Sequence, residues 1–177
     1  TPALSPGRTN PGDGVFDPEI VPVEADDHLV TEDEGPRPDT SLERLGTLRP
    51  AFRDDGTITA GNASKLADGA GAVLVADAEV AADAGLGPMA HVVYYAVSYR
   101  DPAEFGRSLI DAVDTLLSRN DLVPSDVDHF ELNEAFAAQT VLAREELDIP
   151  EETLNPLGGA VALGHPIGAS GGILTTT

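Results

Sequence analysis

The 177-residue sequence contains no cysteine, no tryptophan and a single lysine, Lys65. The absence of cysteine excludes disulfides, thiolate metal ligands, iron–sulfur clusters and a thiol nucleophile carried by this chain. Long apolar runs are absent too, and no stretch approaches the roughly 20 residues that a membrane-spanning helix needs. The sequence therefore predicts an acidic globular protein without a membrane partner.

Positive charge is also scarce. Ten Lys and Arg residues stand against 31 Asp and Glu residues, which gives a formal net charge of −21 at pH 7. Such a surface argues against a nucleic-acid partner, because few cations are present to displace counterions from phosphate. Many carboxylates with almost no lysine are typical of proteins kept soluble in concentrated salt, where the Debye length falls to about 3 Å at 1 M. We therefore expect a halophilic source and a cytoplasmic location; a merely acidic cytosolic protein is the alternative.

The apolar pattern predicts strands and helices in alternation after a loop-rich start over residues 1–39. Strands are expected over 71–76, 91–100 and 128–132, and helices over 40–48, 77–84, 101–117, 134–147 and from about 171. This order favours a layered α/β fold.

The first candidate for chemistry is the stretch 59–64 together with 68–71. Small residues there let a ligand approach the backbone, and the Ser64 hydroxyl can form a hydrogen bond to it. A tight turn leading into a buried strand explains the same residues without a ligand.

The second candidate is 133–136, at the junction between a predicted strand and a predicted helix. Ligands commonly bind beyond the carboxyl ends of strands in open α/β sheets. Asn133 can present its amide to a carbonyl oxygen or an ordered water, or it can simply cap the helix.

The third candidate is the Gly-His-Pro sequence at 164–166, within a glycine-rich loop. An imidazole held at His165 suits proton transfer near neutral pH, or a hydrogen bond to a developing oxyanion. An ordinary loop histidine is the alternative.

Motifs for metals and nucleotides are missing. The glycine-rich stretch 164–172 lacks the Lys-Ser/Thr pair of a phosphate-binding loop, and the acidic stretch 126–129 has no second ligand cluster at metal spacing. We expect no metal ion and no bound cofactor.

Taken together, the three segments resemble successive signatures of the thiolase family, which includes the acetyl-CoA acetyltransferases. The residues that carry the resemblance are 48–52 (LRPAF), 59–64 (TAGNAS) with 68–69 (DG), 133–136 (NEAF) and 155–172 (NPLGGAVALGHPIGASGG). They follow the family's order and cover most of the chain from about residue 19. The separation of 32 positions between Asn133 and His165 also fits the family.

The resemblance implies an acyltransferase that cleaves 3-ketoacyl-CoA with CoA, or runs in reverse as a Claisen condensation of acetyl-CoA, as in fatty acid metabolism. Coenzyme A would be a substrate rather than a cofactor. In the family, a cysteine nucleophile accepts the acyl group and a second cysteine moves the proton. Since this chain has no cysteine, both would lie outside it.

The resemblance also implies roles for individual residues. His165 would activate the nucleophile and line an oxyanion hole, and Asn133 would hold a water that completes the hole, so we expect the two side chains to converge. Ser64 would contact the pantetheine arm of CoA. The residues expected to line the CoA channel are Phe52, Ala60, Ala63, Leu66, Ala135 and Phe136.

The family fold has two similar α/β halves with layered helices and mixed five-stranded sheets, a layered α/β/α arrangement that would be incomplete in this chain. By analogy, 1–65 would be the end of the loop domain that covers CoA. Residues 66–87 would return to the N-terminal half, and 88–177 would be the C-terminal half, truncated. Family members are commonly dimers or tetramers, so a homo-oligomer is expected.

Two other interpretations stay open. A non-catalytic acyl-CoA-binding subunit of the same fold would also lack the cysteines. A ketoacyl synthase of the same superfamily is less favoured, because 133–136 and 164–166 are thiolase-like. One departure concerns 105–109 (FGRSL), where family members often carry a Met-Gly-x-Gly-Pro turn, so the acyl or pantetheine end of the pocket is expected to differ.

Overall fold

The computed structural model describes residues 14–33, 35–37 and 39–177. The first 13 residues of the predicted loop-domain end, with Glu34 and Pro38, lie outside the described residues. Two short strands are formed, β1 (Val23–Ala25) and β2 (His28–Val30). The helices are α1 (Leu42–Gly46), α2 (Ala78–Asp83), α3 (Phe105–Arg119), α4 (Ala137–Leu147), α5 (Ala160–Leu163) and α6 (Ser170–Thr176). Single 3₁₀ turns lie at Asp17–Glu19, Pro102–Glu104, Pro124–Asp126 and Glu151–Thr153.

The core lies between α3 and α4. Helix α3 turns one apolar face inward, with Ile110, Val113 and Leu117 at helical spacing, and it packs against Ala143 of α4. The remaining buried members of this cluster are Phe130, Leu132, Ile149 and Leu154. An ion pair between Arg107 and Glu146, with Nη2 and Oε1 2.6 Å apart, joins the two helices at the surface. Leu132 and Leu154 of this cluster directly precede Asn133 and Asn155, so the core anchors two segments of the candidate site.

The third predicted strand, 128–132, is reduced to a single parallel bridge between Phe130 and Leu154. Phe130 N–H donates to Thr153 O, and Asn155 N–H donates to Phe130 O, both at 2.8 Å. This bridge brings the segment containing Asn133 beside the segment that begins the glycine-rich loop.

The other two predicted strands, 71–76 and 91–100, have no ladder partner in the described part of the chain, where the only ladder joins β1 to β2. A strand requires a neighbouring backbone edge, and no described segment supplies one here. Apolar side chains are consequently exposed along 66–100; Leu66 and Met89 are each 99% exposed. We call residues 66–100 the uncovered segment.

The end of the uncovered segment is tied to α3 by polar contacts. Arg100 makes two hydrogen bonds to Asp111, Nε to Oδ2 at 2.5 Å and Nη2 to Oδ1 at 2.8 Å. Arg119 donates to the Tyr94 hydroxyl at 2.6 Å and lies over its ring. No helix within residues 14–33, 35–37 and 39–177 is both long and apolar enough to cross a membrane.

Candidate active site

Asn133 lies in an extended segment rather than at a helix cap. The predicted helix over 134–147 begins only at Ala137, and Gln139 Oε1 accepts the N–H of Phe136 at 3.0 Å to cap it. Leu132 and Glu134, on either side of Asn133, are both buried. Because side chains alternate along an extended backbone, the amide of Asn133 points away from these two and remains half-buried. The structure therefore excludes the alternative in which Asn133 caps α4.

His165 lies on a tightly constrained loop after α5. Gly164 has φ +101°, a conformation that favours glycine, and a Cβ there would lie 2.6 Å from the Cβ of Ala67. The His165 N–H donates to Lys65 O at 2.9 Å. The backbone of the loop is thus fixed against residues 65–67, and the imidazole stays half-buried.

The side chains of Asn133 and His165 converge. Nδ2 of Asn133 lies 3.3 Å from Nε2 of His165. On the other side of the ring, Nδ1 lies 2.7 Å from Oγ of Ser170, which is itself buried. The Ser170 hydroxyl also lies 3.1 Å from Pro166 O. With the proton of the neutral ring on Nδ1, Ser170 accepts from Nδ1 and donates to Pro166 O, and Nε2 accepts from the Asn133 amide, so one tautomer satisfies all three contacts.

This arrangement can move one proton and stabilise one negative charge. The Nε2 of a neutral, half-buried imidazole can take a proton from a thiol or an alcohol. Once protonated, the same nitrogen becomes a donor beside the Asn133 amide. Two converging donors suit an oxygen on which negative charge develops.

The first sequence segment docks beside both other segments. Ala63 forms an antiparallel bridge with Phe136, Ser64 N–H donates to Ala135 O at 3.0 Å, and Ala137 N–H donates to Asn62 O at 2.9 Å. The Ser64 side chain is half-buried, and its hydroxyl makes no hydrogen bond to any described residue. All three candidate segments therefore meet in one place.

Aromatic rings flank this junction. The ring of Phe136 meets that of Phe52 edge-on at 5.9 Å between centroids, and that of Phe105 at 6.2 Å. Ala60 and Leu66, also predicted to line a channel, are exposed. An open groove of about 450 Å³ lies next to His165, lined by 67–71 and 166–169.

Lys65 places its ammonium group beside α5, which precedes the Gly-His-Pro sequence. Its Nζ donates to Ala162 O in α5 at 3.3 Å. Burial lowers the pKa of the Lys65 ammonium, the Arg37 charge lowers it further, and Asp33 opposes both effects.

Comparison with known proteins identifies the family. The model of the thiolase C-terminal domain matches residues 86–177, and the model of the thiolase N-terminal domain matches residues 5–79. The chain belongs to the thiolase family. The resemblance drawn from the sequence is thereby confirmed, whereas the division into 1–65, 66–87 and 88–177 stays a prediction.

Relatives within the thiolase family are similar over nearly the whole chain. A probable acetyl-CoA acyltransferase of Staphylococcus epidermidis is 48% identical over 163 residues, which cover 89% of this chain and 41% of the relative. Its counterpart in Staphylococcus aureus is 47% identical over 169 residues, covering 93% and 43%. This chain therefore spans about two fifths of the length of the curated relatives it matches.

Solved thiolases have the same fold. Human mitochondrial 3-ketoacyl-CoA thiolase in complex with CoA aligns with a TM-score of 0.84 at 42% identity, covering 93% of this chain and 42% of that one. The dimeric peroxisomal thiolase of Saccharomyces cerevisiae aligns with a TM-score of 0.81 at 38% identity, covering 93% and 43%. The predicted α/β thiolase fold is confirmed, and the chain contains only part of it.

Sequence reasoning missed several polar residues that lie beside Asn133 and His165. Ser170, which holds Nδ1 of His165, follows the histidine by five positions within the glycine-rich signature. Asn155 opens that signature, and Glu134 follows Asn133 directly. In the sequence, Ser170 and Asn155 stand out only as polar residues within a motif rich in Gly and Ala. That pattern does not indicate which side chain or backbone group each of them binds.

Proposed function

We propose that this chain contributes the imidazole and carboxamide of a thiolase active site that transfers acyl groups to and from coenzyme A. The reaction is thiolysis of 3-ketoacyl-CoA or, in reverse, Claisen condensation of acetyl-CoA. The observation that carries the proposal is the 3.3 Å contact between Asn133 Nδ2 and His165 Nε2. Because this chain has no cysteine, the nucleophilic and proton-shuttling thiols belong to residues outside it.

In the condensation direction, Nε2 of His165 takes the proton of the nucleophilic thiol, and the thiolate attacks the thioester carbonyl carbon of the first acetyl-CoA. Negative charge develops on the carbonyl oxygen, where the imidazolium and a water held by Asn133 act as donors. The carbon–sulfur bond to CoA then breaks, the imidazolium returns its proton to the departing CoA thiolate, and the acyl group stays on the enzyme.

Coenzyme A is the proposed substrate, with no cofactor or metal required. The human relative solved with CoA supports this assignment. In this proposal Ser64 contacts the pantetheine arm, since its backbone binds Ala135 and the next residue, Lys65, binds the backbone of His165. The channel is lined by Phe52, Ala60, Ala63, Leu66, Ala135 and Phe136, and the exposed edge of the Phe52–Phe136 ring pair supports an apolar wall there.

The uncovered segment is where the remainder of the thiolase fold packs in this proposal. Its apolar side chains are exposed and its predicted strands lack neighbours. An extended apolar run of this kind is typical of a strand that is buried on both faces of a sheet. The relatives, more than twice as long as this chain, have enough additional residues to supply those neighbours.

The remaining parts of the proposal concern the protein's surroundings. We assign it to a halophilic cytoplasm and to a homo-oligomer, supported by the net charge of −21 and by the dimeric yeast relative. The thermal midpoint should rise with KCl up to molar concentrations, because screening reduces repulsion among the carboxylates. A midpoint that stays flat or falls contradicts the halophilic assignment.

The deciding experiment is thiolysis of acetoacetyl-CoA by the full-length protein encoded by the gene, with release of acetyl-CoA as the readout. His165→Ala should lower kcat by about 10³-fold, as expected for loss of a general base. His129→Gln is the matched control, since His129 is exposed and its Nε2 pairs with Glu131 at 2.7 Å.

Other outcomes identify the alternatives. CoA binding without turnover favours a non-catalytic acyl-CoA-binding subunit. Turnover of acyl-carrier-protein substrates but not of CoA esters favours a ketoacyl synthase. Wild-type turnover by His165→Ala contradicts the assignment of the base.

A further inference from the structure

Glu134, which follows Asn133 in the chain, forms a buried polar pair with Asn155. Glu134 is 2% exposed and Asn155 is fully buried. Asn155 Nδ2 donates to Glu134 Oε1 at 3.3 Å. Burying a carboxylate and a carboxamide is costly unless both are hydrogen-bonded, so this pair requires an explanation that core packing does not provide.

Asn155 acts on the backbone on one side of Asn133. Its Oδ1 accepts the N–H of Leu132 at 2.7 Å, and its Nδ2 donates to Leu132 O at 2.9 Å. The side-chain amide of Asn155 thus pairs with the Leu132 backbone as a peptide group would, next to the Phe130–Leu154 bridge. Asn155 itself has φ +43°, an uncommon conformation for a residue other than glycine, and this directs the amide toward Leu132.

Glu134 acts on the loop that leads to His165. Its Oε2 accepts the N–H of Val161 at 3.2 Å, and Val161 belongs to α5, which ends directly before Gly164 and His165. Gly159 packs against the same carboxylate, and a Cβ there would lie 2.3 Å from the carboxyl carbon. The carboxylate therefore joins the residue next to Asn133 to the helix next to His165.

We propose that Asn155 and Glu134 are positioning residues that hold Asn133 and His165 at reacting distance. The inference rests on the proposed function and adds to it a role for residues that touch neither substrate nor the reacting atoms. Each catalytic side chain is fixed through a backbone segment bound to this pair. A misplacement of 1 Å in an active site can cost about 10²-fold in rate, so loosening the pair lowers kcat without weakening substrate binding.

Two variants perturb the pair in different ways in the full-length protein. Glu134→Gln keeps the shape but replaces one acceptor oxygen with a donor, so one of the bonds to Asn155 or Val161 is lost. Gly159→Ala leaves the carboxylate intact but displaces it. Glu131→Gln is the matched control, because Glu131 lies three residues away on the same segment and its carboxylate pairs only with His129 within the described residues.

The experiment measures kcat per active site, titrated by the burst of CoA release from acetyl-CoA, together with KM and the thermal midpoint. Each variant should lower kcat by about tenfold or more, with KM for CoA within about twofold of wild type. The double variant should lose much less than the product of the two single losses, because both substitutions disturb one contact. Crystal structures of the variants should show Asn133 Nδ2 and His165 Nε2 further apart than 3.3 Å.

The opposite results are distinguishable. Variants with a lowered midpoint but unchanged kcat per titrated site show a role in folding alone and overturn the inference. Multiplicative losses in the double variant, or an unchanged separation of Asn133 and His165, overturn it as well. If the wild-type protein itself does not turn over, the proposed function fails and this inference fails with it.

Discussion

Ser170 Oγ lies 2.7 Å from Nδ1 of His165 while it donates its own proton to Pro166 O. A hydroxyl has one proton, so Ser170 accepts from the imidazole when it donates to Pro166 O. In that tautomer the lone pair on Nε2 faces the Asn133 amide. The tautomer that suits a general base therefore depends on a residue of α6 as well as on the loop that carries the histidine.

Removal of the Ser170 hydroxyl should therefore impair catalysis. In Ser170→Ala, the Nδ1–H loses its acceptor, and an unsatisfied buried donor costs about 1–3 kcal/mol. We expect kcat for thiolysis to fall by about tenfold, while KM for CoA stays unchanged. Ser108→Ala is the control, since the Ser108 hydroxyl only donates to Phe105 O within α3. Equal kcat values for Ser170→Ala and Ser108→Ala contradict the assigned tautomer.

Loss of the Asn133 amide should be less damaging than loss of the imidazole. The amide acts through a water in the proposed reaction, and a single oxyanion donor typically accounts for about 10²-fold in rate. Steady-state kinetics of Asn133→Ala and His165→Ala show which substitution lowers kcat more. Asn120→Ala provides a control carboxamide, whose Nδ2 donates to Leu116 O at the end of α3. A larger fall in kcat for Asn133→Ala than for His165→Ala contradicts the proposed roles of the two side chains.

Ser64→Ala should weaken binding of CoA more than it slows chemistry. The hydroxyl makes no hydrogen bond within the described structure, so its removal leaves no described partner unsatisfied. One hydrogen bond to the pantetheine arm corresponds to about 0.5–1.5 kcal/mol, or roughly a two- to tenfold rise in KM. The KM for CoA is measured for wild type, for Ser64→Ala and for Ser118→Ala, a control at an exposed position. A fall in kcat at constant KM would instead place Ser64 in the chemical step.

The Arg100–Asp111 contact should make stability depend on pH. The hydrogen bonds from Arg100 hold the pKa of the Asp111 carboxyl below its usual range. Because the pKa is lower in the folded state than in the unfolded state, the ionised carboxylate stabilises the fold above about pH 4, and this contribution disappears as pH falls through the folded-state value.

The corresponding measurement compares thermal midpoints of wild type and Asp111→Asn at pH 7 and at pH 3. We expect the variant to be less stable at pH 7 and the difference to shrink at pH 3. The effect should be small, since both side chains are about one third exposed. Asp114→Asn on the same helix is the control. A difference that grows on acidification contradicts the linkage.

The sequence predicted the elements whose signals are local. Helix α2 begins after Asp77, whose carboxylate accepts the N–H groups of Glu79 and Val80, and α6 begins within one residue of the expected position. In both cases the cap or the glycine pattern lies inside the element itself. The predicted strands 71–76 and 91–100 have no local determinant of this kind, because a ladder depends on a second segment.

The candidate site was predictable in its residue types but not in its connections. Asn133 and His165 were identified by their chemistry and by the resemblance to thiolases. Helix α4 begins three residues later than the sequence predicted, since Glu134 is bound to Asn155 and Val161 and Phe136 forms a bridge with Ala63. These two contacts join residues that are 21 and 27 positions apart, and no periodic sequence pattern predicts contacts at such separations.

The uncovered segment has a practical consequence for anyone who produces these 177 residues in isolation. The segment exposes valine, tyrosine and leucine side chains, and its backbone lacks strand neighbours within the described residues. Exposed apolar strands of this kind favour intermolecular β-sheet formation and aggregation during expression. Co-expression with a polypeptide that provides neighbouring strands should keep the 177-residue chain soluble. The fraction of the chain recovered in the supernatant after centrifugation therefore measures whether the two polypeptides associate.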